Sequence, residues 1–422
     1  MYAYIYTFGC KVNQVESEKI VNELTCFNLE LTENINKAEV IIFNTCAVTE
    51  RAEKKFRSMI KKAKIENPSV LIAVTGCAAE KEKEKLKSLG ADIVVTNSGK
   101  MDILEHIKSR TDHLESIFSS DGFIDAENIS MATRTRAFVK IQDGCDSNCS
   151  YCIIPSLRGL PVSRSTESIL SEVKGLVEKG YKEIVPVGIH VGKYGLDLDN
   201  DIDLPALVEK IVRIEGDFRI RLTSIELNEM TDRMVNLLVN NQDKICRHYH
   251  IPLQSGSTHT LQVMNRKYTA DEYISKLNEL KMKVPDASLG ADIIVGFPGE
   301  TDEHFNETVD TVRRSGLEHI HVFSYSDRSG TVASEMKNKV PSKVKSARSK
   351  ELRDIASELK AVAANKMIGK TLRVLTQKDN TAITDNYFTV KFKEGVEPNL
   401  FLDVLITNAY KDGTLKGDIV NE

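Results

Sequence analysis

Short apolar runs alternate with amphipathic helical stretches through the first hundred residues, and that alternation leaves few folds open. "YAYIYTFGC" is followed by "VESEKIVNELTCF", in which Ile20, Val21, Leu24 and Phe27 recur at helical spacing. Then come "AEVIIFNTCAV", a basic helical stretch, "SVLIAVTGCAA", a charged helical stretch and "ADIVVTNS". Repeated β-α units predict a parallel sheet with helices over its faces. In such a sheet the C-terminal ends of all strands share one edge, where ligands bind.

Cys10, Cys46 and Cys77 each follow directly on the last apolar residues of such a strand. Their spacings of 36 and 31 residues are each about one β-α-β unit. Three thiols far apart in sequence should therefore meet at one rim. Gly9 and Gly76, beside two of them, allow a bulky group close to the backbone. Core cysteines would sit mid-strand or on helix faces. Cys26, on an amphipathic helix, and Cys246, before "RHYHIPL", read that way.

Residues 99–135 read as a surface excursion and linker ending in "MATRTR". A second β-α series starts at "AFVKI", with strands expected at 137–141, 184–188, 219–224, 248–251, 290–296 and 319–325. Six right-handed β-α units make a partial TIM barrel, (β/α)6. After a basic helix, short alternating stretches separated by Gly, Asn and Asp predict a small antiparallel β-barrel. The fold class is α/β in three domains: an N-terminal parallel α/β sheet domain (1–130), the central (β/α)6 partial TIM barrel (131–366) and the C-terminal β-barrel (367–422).

No run of eighteen apolar residues occurs, so no membrane span is expected. The N-terminus lacks the basic start and apolar stretch of a signal peptide. The expectation is a cytoplasmic protein whose eight cysteines stay reduced and serve metal binding, catalysis or core filling. A net charge of −4 argues against a surface coated uniformly for nucleic acid. Local bias differs: residues 337–370 hold ten Lys or Arg against three Asp or Glu, and residues 50–64 hold seven against two. Solvated helix faces account for either stretch alone, while the two together keep a polyanion partner open.

"QDGCDSNCSYCIIP" crowds Cys145, Cys149 and Cys152 into one loop after the first strand of the second series, at the mouth where such barrels place chemistry. A zinc site, a disulfide and coincidental core cysteines are the plain alternatives. Zinc favours a closed four-ligand site, yet no cysteine lies between Cys77 and Cys145 or between Cys152 and Cys246. His190, His248 and His250 lack the spacing of a zinc knuckle. A [4Fe–4S] cluster normally takes four thiolates. Three would leave one iron open, as a catalytic site requires.

At these residues the chain resembles the radical S-adenosylmethionine superfamily, whose signature is C-x3-C-x2-C after the first strand of such a barrel. It resembles in particular the methylthiotransferase branch. "YTFGCKVNQVES", "FNTCAVTERA" and "VTGCAAE" resemble that branch's N-terminal domain; "IQDGCDSNCSYCIIPSLRG", "HIPLQSGS", "MNRKYT" and "ADIIVGFPGETDEHF" resemble its radical core, and the tail resembles its TRAM domain. Within the branch, "GCKVNQ" and "QDGC" look most like the enzymes acting on N6-threonylcarbamoyladenosine in tRNA. Enzymes acting on a ribosomal-protein aspartate or on isopentenyladenosine tRNA carry similar motifs and stay open. So does a metal-containing RNA-binding protein without turnover.

The resemblance implies two [4Fe–4S] clusters, a radical cluster on Cys145, Cys149 and Cys152 and an auxiliary one on Cys10, Cys46 and Cys77. It implies S-adenosylmethionine both as methyl donor and as source of a 5′-deoxyadenosyl radical. Radical chemistry suits C2 of an adenine, whose C–H offers no route to acid–base catalysis. Gly188, Glu226, Gln254 and Asp292 are candidates for S-adenosylmethionine or substrate contact, while Gly296 and Gly299 serve a turn. Arg158 and Lys193 are candidate partners for the threonylcarbamoyl carboxylate. Lys343, Lys345, Arg348 and Lys350 are candidates for tRNA phosphates. The expected partners are the anticodon loop, where bases can be splayed out, and an electron donor of the flavodoxin or ferredoxin kind. The chain is expected to act as a monomer.

Overall fold

The computed structural model describes residues 2–26, 29–110, 135–198, 202–393 and 395–420. The linker expected at 99–135 falls mostly outside them, as does the side chain of Cys26. The part of it that is described is helical, at Lys100–Asp102 and Ile103–Lys108. Two compact units emerge. The first takes the described residues through 110 together with Gly144–Asp146 and Cys152–Leu160, and the second takes the rest. Among the described residues no helix is long and apolar enough to cross a membrane.

The first unit is built on five parallel strands, β1 (Tyr2–Thr7), β2 (Glu30–Leu31), β3 (Val40–Thr45), β4 (Leu71–Gly76) and β5 (Ile93–Val94), in the order β2-β1-β3-β4-β5. Every residue of β3 is buried, as a strand covered on both faces must be. Its alternate side chains serve two cores. Ile41 and Phe43 pack with Ile72, Val74, Phe56 and Ile60, whereas Val40 and Ile42 pack with Ala73, Ile20, Leu24 and Ile103.

The second unit begins with β6 (Arg136–Lys140), followed by the short antiparallel pair β7 (Gln142–Asp143) and β8 (Val162–Ser163). Then come β9 (Glu183–Val187), β10 (Arg219–Ile220), β11 (His248–His250), β12 (Ser288–Val295) and β13 (His319–Ser324). They form two parallel three-stranded sheets, β10-β9-β6 and β11-β12-β13, linked by a parallel bridge between Ile220 and Ile245. Five of these strands lie close to the spans expected from sequence. β10 is cut to two residues: after Arg221, whose amide still bonds the Ile184 carbonyl at 2.9 Å, the chain buries Leu222 and Ile225 in the core.

The tail forms a closed barrel of β14 (Thr371–Thr376), β15 (Thr381–Thr384), β16 (Thr389–Lys391), β17 (Phe401–Ala409) and β18 (Leu415–Ile419), in the order β14-β15-β16-β18-β17. One expectation is corrected here. The barrel is not wholly antiparallel, because β16 and β18 pair in parallel. An odd number of strands cannot alternate direction all the way round a closed ring, so one parallel pair is unavoidable.

This barrel is fastened to the N-terminal ends of β9 and β10 through a buried carboxylate. Arg219 Nε and Arg221 Nε each donate to Glu183 at 2.8 Å. The same guanidinium groups donate to the carbonyls of Ile383, Thr384 and Asp385, each at 2.9 Å. Burial alone would raise the Glu183 carboxyl, but Arg221 and Arg219 outweigh it and hold it down at about 2. Glu183→Gln should therefore cost roughly 3–5 kcal/mol, because it strands two buried cations. Glu183 has a depressed pKa, so its contribution is complete above about pH 4.5, its ordinary value, and fades as pH falls toward 2. Urea midpoints of wild type and variant across that range should converge on acidification, and a constant gap would refute the account.

Candidate functional site

Parallel register brings three distant cysteines together in the first unit. Thr7 is paired with Asn44, and Thr45 with Gly76. Continued past the strand ends, this sets Gly9 beside Cys46 and Cys46 beside Cys77, with Cys10 one residue further on. The strand order reverses between β1 and β3, the crevice where open sheets bind ligands. Gly9 and Gly76 have φ of +98° and +95°, a region that side chains rarely adopt. A Cβ on Gly9 would lie 2.7 Å from Cys46 Cβ and 2.9 Å from its sulfur.

Side-chain amides lock this edge. Asn13 Nδ2 donates to the carbonyls of Phe8 (2.7 Å) and Thr45 (3.0 Å), tying the turns after β1 and β3. Asn44 Nδ2 returns to the Asn13 carbonyl at 2.9 Å and to Ser17 Oγ at 3.0 Å. Cys10 directly precedes the helix Lys11–Cys26, and Cys77 opens the helix Cys77–Ser88. Both sulfurs thus sit at positive helix ends, which favour an anionic group. Burial pushes the Cys46 thiol up to about 11. Three sulfurs on one edge, room made by glycine and positive helix ends fit a thiolate-bound iron–sulfur group.

Cys145 and Cys152 also belong to the first unit, the former buried and the latter half-buried. Their loop is anchored there by Ile153 and Leu157, which join its core, and by Asn97 Nδ2 donating to the Leu157 carbonyl at 3.0 Å. Arg158, expected to face a substrate carboxylate, is only 1% exposed. It donates to Glu16 (3.2 Å), to Asn13 Oδ1 (2.6 Å) and, through Nε, to Cys77 Sγ (3.4 Å). Glu16 also takes the buried Lys100.

In the second unit a chain of polar contacts leaves the cysteine loop and returns to it. Ser147 Oγ lies 3.3 Å from His190 Nδ1, and His190 Nε2 lies 2.6 Å from Glu229 Oε1. Glu229 Oε2 accepts from the Glu226 amide at 3.1 Å. The Glu226 carboxylate takes Arg266, whose NH1 donates to Cys149 Sγ at 3.4 Å. Gly188 directly follows β9, and a Cβ there would lie 2.9 Å from Gln142 Oε1. That oxygen accepts from the amides of Ile189 (3.1 Å) and His190 (2.9 Å). Lys193 ends the helical turn Val191–Lys193 just beyond.

Gln254 holds a φ of 64° beside β12, its amide donating to the Asp292 carbonyl at 2.8 Å. Such backbone strain in a non-glycine residue concentrates at functional sites. Asp292 lies mid-strand rather than at a strand end. Its Oδ1 is 3.3 Å from His250 Nε2 and 3.1 Å from His321 Nδ1. Burial works against ionisation, but hydrogen bonds from these two imidazoles hold the Asp292 carboxyl well below its usual range. His190, His248 and His250 take separate partners: Glu229, the Tyr387 ring at 4.3 Å and Asp292.

On the basic helix Ser342–Asn365, Lys343 and Lys350 are exposed and Lys345 is half-buried. Arg348 departs from expectation. It is buried on the face shared by Ser349, Leu352 and Ile355, and donates to Glu300 (2.6 Å) and Asp302 (2.7 Å), so its guanidinium is used within the fold. In the earlier basic stretch Lys54 pairs with Glu50 and Arg57 with Glu53, while Lys64 pairs with Asp92 beyond the stretch. Sequence reasoning passed over Asn13, Glu16 and Arg266. Asn13 and Glu16 follow Cys10 at helical spacing in "GCKVNQVES", and Arg266 stands in "MNRKYT". Nothing in the sequence around Lys100 points to its role.

Residues 139–312 match the model of the radical SAM superfamily, and residues 2–96 match that of the uncharacterized protein family UPF0004. The threonylcarbamoyladenosine tRNA methylthiotransferase MtaB of Bacillus subtilis is 37% identical, over 92% of this chain and 89% of its own. A tRNA-2-methylthio-N(6)-dimethylallyladenosine synthase of Thermoanaerobacter pseudethanolicus is 35% identical, over 100% of this chain and 93% of its own. Among solved structures, the radical S-adenosylmethionine methyltransferase TsrM of Kitasatospora setae shares the fold. Its TM-score is 0.55 at 12% identity, over 79% of this chain and 77% of that one. Similarity of this extent makes the chain an enzyme and a member of the radical S-adenosylmethionine methylthiotransferase family.

Proposed function

We propose that this enzyme adds a methylthio group to C2 of N6-threonylcarbamoyladenosine beside the anticodon of tRNA. The observation that carries this reading is the presence of two separate cysteine trios in a chain so similar to a threonylcarbamoyladenosine enzyme. Cys145, Cys149 and Cys152 hold the radical cluster, and Cys10, Cys46 and Cys77 the auxiliary cluster. When bound, the clusters and S-adenosylmethionine supply the radical, the sulfur and the methyl group. The chain orients them. Gly188, Glu226, Gln254 and Asp292 face S-adenosylmethionine or the base from an open (β/α)6 barrel. Lys193 meets the substrate carboxylate. The tail is a TRAM domain that shares RNA phosphates with Lys343, Lys345 and Lys350. Domain boundaries follow at 1–130, 131–366 and 367–422. The reading includes a flavodoxin- or ferredoxin-like electron donor, action as a monomer and a cytoplasmic location.

A second substrate has its own support, since the dimethylallyladenosine relative is nearly as similar. Anaerobic incubation with S-adenosylmethionine, sulfide and a reductant, followed by nucleoside mass spectrometry, separates the two. Turnover is expected on tRNA bearing the threonylcarbamoyl group, with little on dimethylallyladenosine tRNA. Equal turnover would sink the substrate assignment. Replacing Cys145, Cys149 and Cys152 together by Ala should remove about half the iron and abolish S-adenosylmethionine cleavage. The same change at Cys10, Cys46 and Cys77 should remove the other half and spare cleavage; full iron in either variant would refute two sites. Reversing the charge of Lys343, Lys345 and Lys350 should flatten the salt dependence of tRNA binding, by roughly 0.7–0.9 of slope per lost phosphate contact. An unchanged slope would reduce these lysines to a solvated helix face.

A further inference from the structure

Each trio has one arginine aimed at one of its sulfurs. In the first unit Arg158 Nε donates to Cys77 Sγ at 3.4 Å. In the second, Arg266 NH1 donates to Cys149 Sγ at the same 3.4 Å. Both side chains are buried, at 1% and 7% exposure. Both are also held in plane by further polar partners. Asn13 and Glu16 fix Arg158, while Glu226 and the Tyr268 hydroxyl (3.2 Å) fix Arg266. A neutral thiol is a weak acceptor and poor compensation for a buried guanidinium. A thiolate bound to iron is a strong one, because the contact becomes a charge-assisted hydrogen bond.

We propose that Arg158 and Arg266 are positioning residues that set the reduction potentials of the two clusters independently. Arg158 acts on the auxiliary cluster through Cys77, and Arg266 on the radical cluster through Cys149. The inference rests on the two trios being cluster ligands, as proposed above. Reduction adds one electron to a cluster, and hydrogen bonds to its sulfurs help determine the potential at which it does so. An N–H donor and a positive charge both stabilise the more negative state. Each arginine therefore raises the potential of its own cluster. Two sites with the same ligand set, three cysteines each, are in this way each tuned by a residue of their own.

Arg158 adds a second consequence. It lies six residues after Cys152, at the end of the helix Ile154–Arg158, yet its Nε reaches Cys77. The segment that carries a radical-cluster cysteine thus also supplies the donor to the auxiliary site. Loss of Arg158 should be felt at the auxiliary cluster although its neighbours in sequence belong to the other trio.

The test is a redox titration followed by electron paramagnetic resonance, on anaerobically reconstituted full-length protein, with iron content and melting temperature measured on the same samples. Arg158→Gln should lower the auxiliary midpoint by about 59 mV, a tenfold change in the reduced-to-oxidised ratio of a one-electron couple, and leave the radical cluster unmoved. Arg266→Gln should do the reverse. Arg158→Lys and Arg266→Lys keep the charge but lose the planar fork, and should shift the same midpoints less; they also serve if a glutamine variant fails to fold. Unmoved midpoints in variants that keep both clusters would overturn the proposal. So would loss of one cluster's iron from a lysine variant with unchanged melting, which would make the arginine an assembly determinant. Wild-type protein with iron for one cluster only would instead refute the two-trio reading itself.

Discussion

Register between parallel strands is the constraint on which the N-terminal unit depends. Cys10, Cys46 and Cys77 are neighbours only because β1, β3 and β4 pair residue for residue from Ala3 opposite Val40 onward. A slip of one residue would turn every side chain of a strand to the opposite face. It would exchange the two cores that β3 separates and carry one cysteine away from the others. The pattern of β3 makes such a slip costly, since Val40 and Ile42 fill one core while Ile41 and Phe43 fill the other. Hydrophobic packing thus fixes the spacing of the sulfurs, and Cys46 and Cys77 themselves join the core of Ile41 and Phe43. Asn13 then fixes the turns that follow, by bonding the carbonyls of both Phe8 and Thr45.

The second unit separates stability from chemistry along its strands. Glu183 and Arg219 stand at the first residues of β9 and β10, and their network grips the C-terminal barrel. Gly188, directly after the last residue of β9, begins the stretch in which Gln142, His190, Glu229, Glu226 and Arg266 connect back to the cysteine loop. Parallel α/β architecture permits this division because all strands point the same way. The polar groups near the loop bond mainly to one another, so that loop is positioned by a connected set and not by one contact.

Much of this was legible in sequence, and what was not has a common cause. Cys10, Cys46 and Cys77 could be set just past strand ends because each follows an apolar run, and periodicity reports strand ends. Most strands of the second unit's two parallel sheets could be placed for the same reason. Contacts formed by long polar side chains carry no periodic signal. Arg158, six residues after Cys152, reads as a partner for a substrate carboxylate, but its head lies against Glu16, Asn13 and Cys77, as many as 145 positions away. Arg348 reads as one more charge in a basic helix, yet it falls on the buried face of that helix and meets Glu300. The parallel β16–β18 pair was hidden because strand direction within a closed ring follows from topology, which alternating residues do not encode.

Burying ions is a poor way to gain stability, since desolvation often cancels the attraction. This chain nevertheless buries charge in several places: Arg158 with Glu16 and Lys100, Arg266 with Glu226, Glu183 with Arg219 and Arg221, and Arg348 with Glu300. In each the carboxylate orients a guanidinium so that further N–H groups reach acceptors a carboxylate alone could not hold. For Glu183 those acceptors are carbonyls of β15 and its following turn, so orientation serves docking of the barrel. For Glu16 and Glu226 they include cysteine sulfur. Apolar residues of equal volume could fill the same space, but they could donate nothing to a thiolate. On the proposed cluster reading, the burial of charge at these two points serves the sulfurs as well as the fold.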